Sequence, residues 1–321
     1  MVLINKLFAS LIEKLKERMK IPRILRIIRV HIVIGGFLAF SLGALLAIVE
    51  GGGFDPARIA LYYAIVFFGD LSTHFSNDYF DVEVDKHAGQ KKYFSGSSIL
   101  VNHPELRQLS RSISISLLVS SIAMAAVAVL FLGAPIELLT ITVGANFLGW
   151  AYSAPPLRLT SRGLGEVAIA LATGFAIPGT GYLAVRGHLD LLFVYFAIPF
   201  VMYGLMLALS LEAPDREIDL KGGKRNIIVR KGERTVFATI LAAALSASLA
   251  FFFINLLVPL TFVDFRVVFL FSVVPLVAGF IGFLEVFRKN DVNRFSALNV
   301  ASLFVFNILM VTYLSVTALA K

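Results

Sequence analysis

Nine apolar runs divide the chain, at residues 30–49, 59–75, 113–132, 136–151, 167–185, 191–211, 235–260, 267–287 and 297–320. Each is close to the ~20 residues a helix needs to cross a hydrocarbon core, and charges gather in the blocks between them. Residues 1–29 follow another rhythm. Leu3, Ile4, Leu7, Phe8, Leu11, Ile12 and Leu15 recur at helical spacing among Lys6, Lys14, Lys16, Arg18 and Lys20. That pattern predicts an amphipathic helix lying on a membrane surface, and no short apolar core leads to a small-residue cleavage site as in a signal peptide. The predicted fold is therefore all-α: a surface helix over 1–29, then a bundle of nine transmembrane helices over 30–321.

Composition agrees with that picture. The chain is 58% hydrophobic and 16% charged, with a mean hydropathy of +0.84, well above a soluble domain. A net charge of +8 could suggest nucleic acid, but topology accounts for it. The N-terminal segment and the loops after runs two, four, six and eight hold 25 of the 29 Lys and Arg. The opposite side holds only Arg58, Arg186, Arg266 and Lys321. By the positive-inside rule the N-terminus is cytoplasmic and the C-terminus is outside. The absence of cysteine excludes disulfides, thiolate metal sites and cysteine nucleophiles.

The candidate chemistry sits where runs two and six end. Asn77, Asp81 and Asp85 are spaced four apart and share a face if helical. Asp215 and Asp219 repeat the spacing, and both segments read Asp-x-Glu-(branched aliphatic)-Asp. Carboxylates stacked at ~6 Å repel by roughly 3 kcal/mol per pair at an effective dielectric of about 20, so a cation belongs between them. Oxygen-rich acidic sites that also meet phosphate suit Mg²⁺. Parity puts both motifs on the cytoplasmic side, four runs apart, which suggests an internal duplication. Asp78 either ligates or faces its neighbours. Asp70 and His74 continue the first acidic face into the membrane, where an ionisable side chain is costly; they either fix helix packing or line an acceptor pocket.

Basic residues flank the motifs: Arg29 at the start of run one, Lys86, Lys91 and Lys92 after the first motif, Arg158 and Arg162 after run four, and Lys224 and Arg225 after the second motif. Arg29, Asn77, Lys86, Arg158 and Lys224 are the candidate diphosphate contacts. Tyr152-Ser-Ala-Pro155-Pro156 ends run four, and its prolines must break the helix. Some of the 29 phenylalanines could shelter a carbocation.

With these residues in place the chain resembles the UbiA superfamily of intramembrane prenyltransferases. Asn77, Asp81 and Asp85 match the first signature of that family, and Asp215 and Asp219 match the second. Arg29-Val-His31 looks like the Arg-Pro-His that opens its first helix, and the Tyr152 segment resembles its third motif. The resemblance implies nine helices, two Mg²⁺ ions on Asn77, Asp81, Asp85, Asp215 and Asp219, and a catalytic set of the four aspartates with Tyr152. It implies transfer of a prenyl group from a polyprenyl diphosphate to an acceptor at a cytoplasmic-facing site. Gly222-Gly223-Lys224 and Gly96-Ser97 look like 1,4-dihydroxy-2-naphthoate prenyltransferases, although those usually carry an extra Gly-x in the first motif. Asn77-Asp-Tyr-Phe-Asp-Val-Glu83 is shared with archaeal ether-lipid synthases. The expected acceptor is an aromatic quinone precursor, with a glyceryl phosphate lipid precursor as the alternative. An ion-coupled transporter would place its acids near the midplane on broken helices, not at helix ends.

Overall fold

The computed structural model describes residues 23–87, 97–258, 262–289 and 291–321. The surface helix expected over 1–29 falls outside these up to residue 22. From there Leu25–Ile27 forms a 3₁₀ turn, and Ile24 and Ile27 are buried against Phe75, Val82, Leu100 and Leu106. This small apolar cluster roofs one end of the bundle.

Among the described residues the secondary structure is entirely helical. The long helices are α1 (Val30–Val49) and α2 (Pro56–Phe80), followed after two short helices, α3 (Val82–Asp85) and α4 (Ile99–Asn102), by α5 (Arg107–Phe131) and α6 (Ile136–Ser153). Next come α7 (Gly165–Leu171) and α8 (Ile177–Arg186), joined through a π turn at Ala172–Ala176, and α9 (Leu191–Glu212). The short α10 (Arg216–Lys221) leads to α11 (Ile227–Leu257), α12 (Phe265–Lys289) and α13 (Val292–Leu319). The apolar runs read from sequence coincide with these helices to within a few residues at most ends. The largest extension is at α11, whose first turns precede a break at Gly232 (φ 78°, ψ 171°).

Among the described residues seven helical segments are long and apolar enough to cross a membrane. The two expected spans outside that set are α2 and α6. Both carry polar residues toward the interior, Asp70, Thr73, His74 and Asn77 on the one and Thr142 and Asn146 on the other, and these lower their hydropathy. The bundle closes because α1 packs on α8 and α13, α2 on α5 and α6, and α9 on α11.

The contact of α1 with α8 is backbone on backbone. A Cβ at Gly43 would lie 1.8 Å from the Pro178 carbonyl oxygen, and one at Gly181 would lie 2.1 Å from that of Phe40. Small residues at such crossings let membrane helices approach. Gly43→Ala and Gly181→Ala are each expected to cost about 1–3 kcal/mol through forced separation, read as a lower melting temperature in detergent. An unchanged melt for both would show that the crossing yields freely.

Candidate active site

Both acidic motifs use the same local backbone. Helix α2 ends at Phe80, Asp81 departs from helical angles (φ −92°, ψ 6°), and α3 resumes at Val82. At the second motif α9 ends at Glu212, a 3₁₀ turn containing Pro214 follows, Asp215 takes φ −95°, ψ 8°, and α10 resumes. The break does not scatter the acids. The Asp81 N–H still donates to the Asn77 carbonyl at 2.9 Å, and the Asp85 N–H to that of Asp81 at 2.8 Å. Spacing by four thus survives the kink, and all five motif residues line one cavity of ≈ 360 Å³. Glu83 and Glu217, the equivalent intervening acids, are exposed.

Lys224 joins the two motifs. Its Nζ lies 3.0 Å from Asp81 Oδ2 and 3.4 Å from Asp219 Oδ1. The turn that brings it back needs the preceding glycines. Gly223 has φ +75°, and a Cβ at Gly222 would meet Val84 at 2.7 Å. Burial alone would lower the Lys224 pKa, but Asp81 and Asp219 outweigh it and hold the ammonium above the usual lysine range. Asp219 also accepts from Asn226 Nδ2 at 2.7 Å, while Asn226 Oδ1 caps α11 at Val229. Burial, with the Asp78 and Asp81 carboxylates nearby, raises Asp85 to about 7.

The other expected contacts separate into two groups. Arg29 lines the cavity, but its Nη2 is held at 2.9 Å by Asp78 Oδ1. Asp78 also accepts from Ser97, so this buried acid ties the start of α1 and the loop before α4 to α2. Asn77 Oδ1 accepts from Ser153 Oγ at 2.5 Å. Lys86 is exposed and pairs with Glu83 at 2.8 Å. Arg158 is exposed and lies outside the cavity wall. Lys91, Lys92 and Gly96 lie outside the described residues.

Beneath the second motif Tyr152, expected from sequence, meets two acids that the sequence did not single out. Tyr152 donates its hydroxyl to Glu212 Oε1 at 3.3 Å. Glu212 is in hydrogen-bond contact with Glu166, which is fully buried and accepts from the Ile227 N–H at 2.9 Å. A sequence signal existed. Glu212 precedes Asp215 by three residues, as Asp78 precedes Asp81, so each motif carries a buried acid at its membrane end.

The donor set fits a divalent cation of the Mg²⁺ kind: hard oxygen atoms from two motifs, already brought together around one positive charge. Among the described residues no three carboxylates or imidazoles converge closely enough to hold a metal by themselves.

A polar, acid-bearing cavity reaching into an apolar helical bundle is what an intramembrane prenyltransferase requires. The chain belongs to the UbiA prenyltransferase family, whose model matches residues 37–309. Compared by sequence with curated proteins, it has no match. Its fold is that of a UbiA homolog from Archaeoglobus fulgidus solved with DMAPP and Mg²⁺, at 16% identity and a TM-score of 0.67, covering 90% of this chain and 99% of that one. A UbiA homolog from Aeropyrum pernix K1 is similar at 16% identity and a TM-score of 0.68, covering 89% and 98%. A digeranylgeranylglyceryl phosphate synthase is similar at 15% identity and 0.64, covering 92% and 99%.

Proposed function

We propose that this chain transfers a prenyl group from a polyprenyl diphosphate to an aromatic, quinone-precursor acceptor held in the cavity, with the diphosphate bound at the two acidic motifs on Mg²⁺. The observation that carries this is the bridge from Asp81 through Lys224 to Asp219, since one ligand at that place can touch both motifs. Asn77, Asp81, Asp85, Asp215 and Asp219 would hold two Mg²⁺ ions. When bound, the metal neutralises charge on the leaving diphosphate oxygen.

The chain supplies the remainder. Lys224, and Arg29 where it can leave Asp78, meet diphosphate oxygens. Phe200, Tyr203 and Phe304 line the interior and exclude water from the prenyl chain and a developing allylic cation. The acceptor atom then bonds to the prenyl C1 as the C1–O bond breaks, and the acceptor proton leaves with diphosphate. Tyr152, held by Glu212, closes the wall beside the second motif.

Nine crossings, a surface segment over 1–29 and a cytoplasmic mouth complete the reading, supported by the 25-to-4 division of basic residues. The test is a melting experiment on purified protein with a non-hydrolysable geranyl diphosphate analogue. The analogue is expected to raise the melting temperature with Mg²⁺ and not after EDTA. A shift indifferent to EDTA would overturn the metal-held diphosphate.

A further inference from the structure

Residues 224–227 carry two side chains that hold the second motif from outside it. Lys224 bridges Asp219 to Asp81, and Asn226 donates to Asp219 at 2.7 Å. Residues 224–226 belong to no helix, so their placement depends on what ties the backbone down. Three bonds do so. The Lys224 N–H donates to the Asp219 carbonyl at 2.9 Å, the Arg225 N–H to the Ser161 carbonyl at 3.0 Å, and the Ile227 N–H to Glu166 Oε1 at 2.9 Å. Two of these acceptors come from the stretch 161–166 that leads into α7.

Glu166 is the acceptor with a second attachment. It is fully buried and stands behind the cavity wall, whereas Tyr152, Glu212 and Asp219 line it. Its neighbour Gly165 makes room for the Tyr152 ring: a Cβ there would lie 2.9 Å from Tyr152 Cε2 and 2.8 Å from Thr160 Cα. The Glu166 carboxyl is in hydrogen-bond contact with that of Glu212, which takes the Tyr152 hydroxyl at 3.3 Å.

Glu166 Oε2 and Glu212 Oε2 are buried, and no N–H or hydroxyl reaches either. Buried polar atoms are almost always satisfied. Two carboxyl groups can bond to each other only with a proton between them, and one proton supplies the donor that both lack. The Lys224 ammonium does not fill this place, because Asp81 and Asp219 hold it. Hydrogen bonds therefore run from Tyr152 through Glu212 and Glu166 to the Ile227 amide. The next residue back is Asn226, with its bond to Asp219.

We infer that Glu166 is a positioning residue for the second acidic motif. By one proton shared with Glu212 and one bond from the Ile227 N–H, it fixes residues 224–227, and with them Asp219, against the wall that holds Tyr152. The inference rests on the metal-held diphosphate reading above and names what keeps that site in shape.

The test uses the full chain in detergent with the non-hydrolysable geranyl diphosphate analogue and Mn²⁺ in place of Mg²⁺, free Mn²⁺ being counted by its electron paramagnetic resonance signal. Glu166→Gln keeps both bonds, since its amide oxygen accepts from Ile227 and its NH₂ donates to Glu212. It should bind Mn²⁺ within a few-fold of the wild type. Glu166→Leu removes both bonds and should weaken Mn²⁺ binding by about 10–100-fold, the range for a lost outer-shell partner. Its kcat/KM for radiolabelled donor should fall by a similar factor. Glu166→Asp, one methylene short of reaching both partners, should lie between the two, and it decides the matter if Glu166→Leu does not fold. Infrared spectra give a reading that needs neither variant: the carbonyl stretch of a protonated carboxyl at neutral pH should be lost or shifted in Glu166→Gln.

A glutamate that serves only the fold would lower the melting temperature and leave the Mn²⁺ affinity of the folded protein unchanged. That result in Glu166→Leu or Glu166→Asp overturns the inference. So does a Glu166→Gln as impaired as Glu166→Leu, or an infrared spectrum that Glu166→Gln leaves unmoved. Failure of the prenyl-transfer reading looks different: the wild type itself would bind no Mn²⁺ with the analogue and release no diphosphate from the donor.

Discussion

Asp81→Asn and Asp215→Asn are each expected to lower prenyl transfer by about 10²–10³-fold, the scale of removing a preorganised electrostatic contact at developing charge. These aspartates sit at the same broken turn in the two motifs, with φ near −92° and −95°, and both line the cavity. Asparagine keeps the shape and one oxygen but loses the charge that holds a cation. The fold should survive, because Lys224 retains Asp219 when Asp81 is neutralised, so both variants should melt cooperatively. The exposed acids at equivalent positions give the control. Glu83→Gln and Glu217→Gln remove the same formal charge two residues along, on the exposed face, and should leave the rate within a few-fold. Radiolabelled donor, followed to prenylated product and free diphosphate, measures all four. Full turnover by either Asp variant would remove the site from the motifs.

Most of the fold was legible because a bilayer imposes a length and a composition that short-range sequence reports directly. The run at 30–49 is α1 itself, and 191–211 is α9 to within a residue. Reading failed where polar residues extend a helix past the apolar run or face an interior. Helix α2 begins at Pro56 and ends at Phe80, beyond the 59–75 run at both ends, because Asp55 caps its start and the polar Ser76 and Asp78 are buried inside the protein. The spacing of the acids foretold their shared face but not the kink at Asp81, which no proline or glycine announces. It also picks out Arg29, Lys86, Arg158 and Lys224 among the basic residues without saying what each one meets. Arg29, Lys86, Arg158 and Lys224 differ only in what lies across space: Asp78 for the first, Glu83 for the second, an exposed αL position for the third and both motifs for the fourth. The Tyr152–Glu212–Glu166 cluster joins residues dozens of positions apart, so only the echo of Asp78 in Glu212 hinted at it.

The second large effect is expected at Lys224, and it separates a role in the resting protein from one in the reaction. Lys224, Asp81 and Asp219 have side chains only 12%, 15% and 8% exposed. Lys224→Met would leave two poorly hydrated carboxylates facing each other without a counter-ion. Breaking a buried ion pair in this one-sided way costs ~3–5 kcal/mol, so the variant should melt well below the wild type in EDTA. A divalent cation can replace the missing charge, because the ammonium and the metal compete for the same oxygens. Mg²⁺ should therefore raise the melting temperature of Lys224→Met more than that of the wild type, and at lower concentration. Lys224→Arg keeps the charge in a flatter, longer fork and should fall between the two in EDTA. If Lys224→Met melted like the wild type without metal, or gained no more from Mg²⁺, the ammonium would not be holding the two motifs together. The acids would then need another reason to lie side by side.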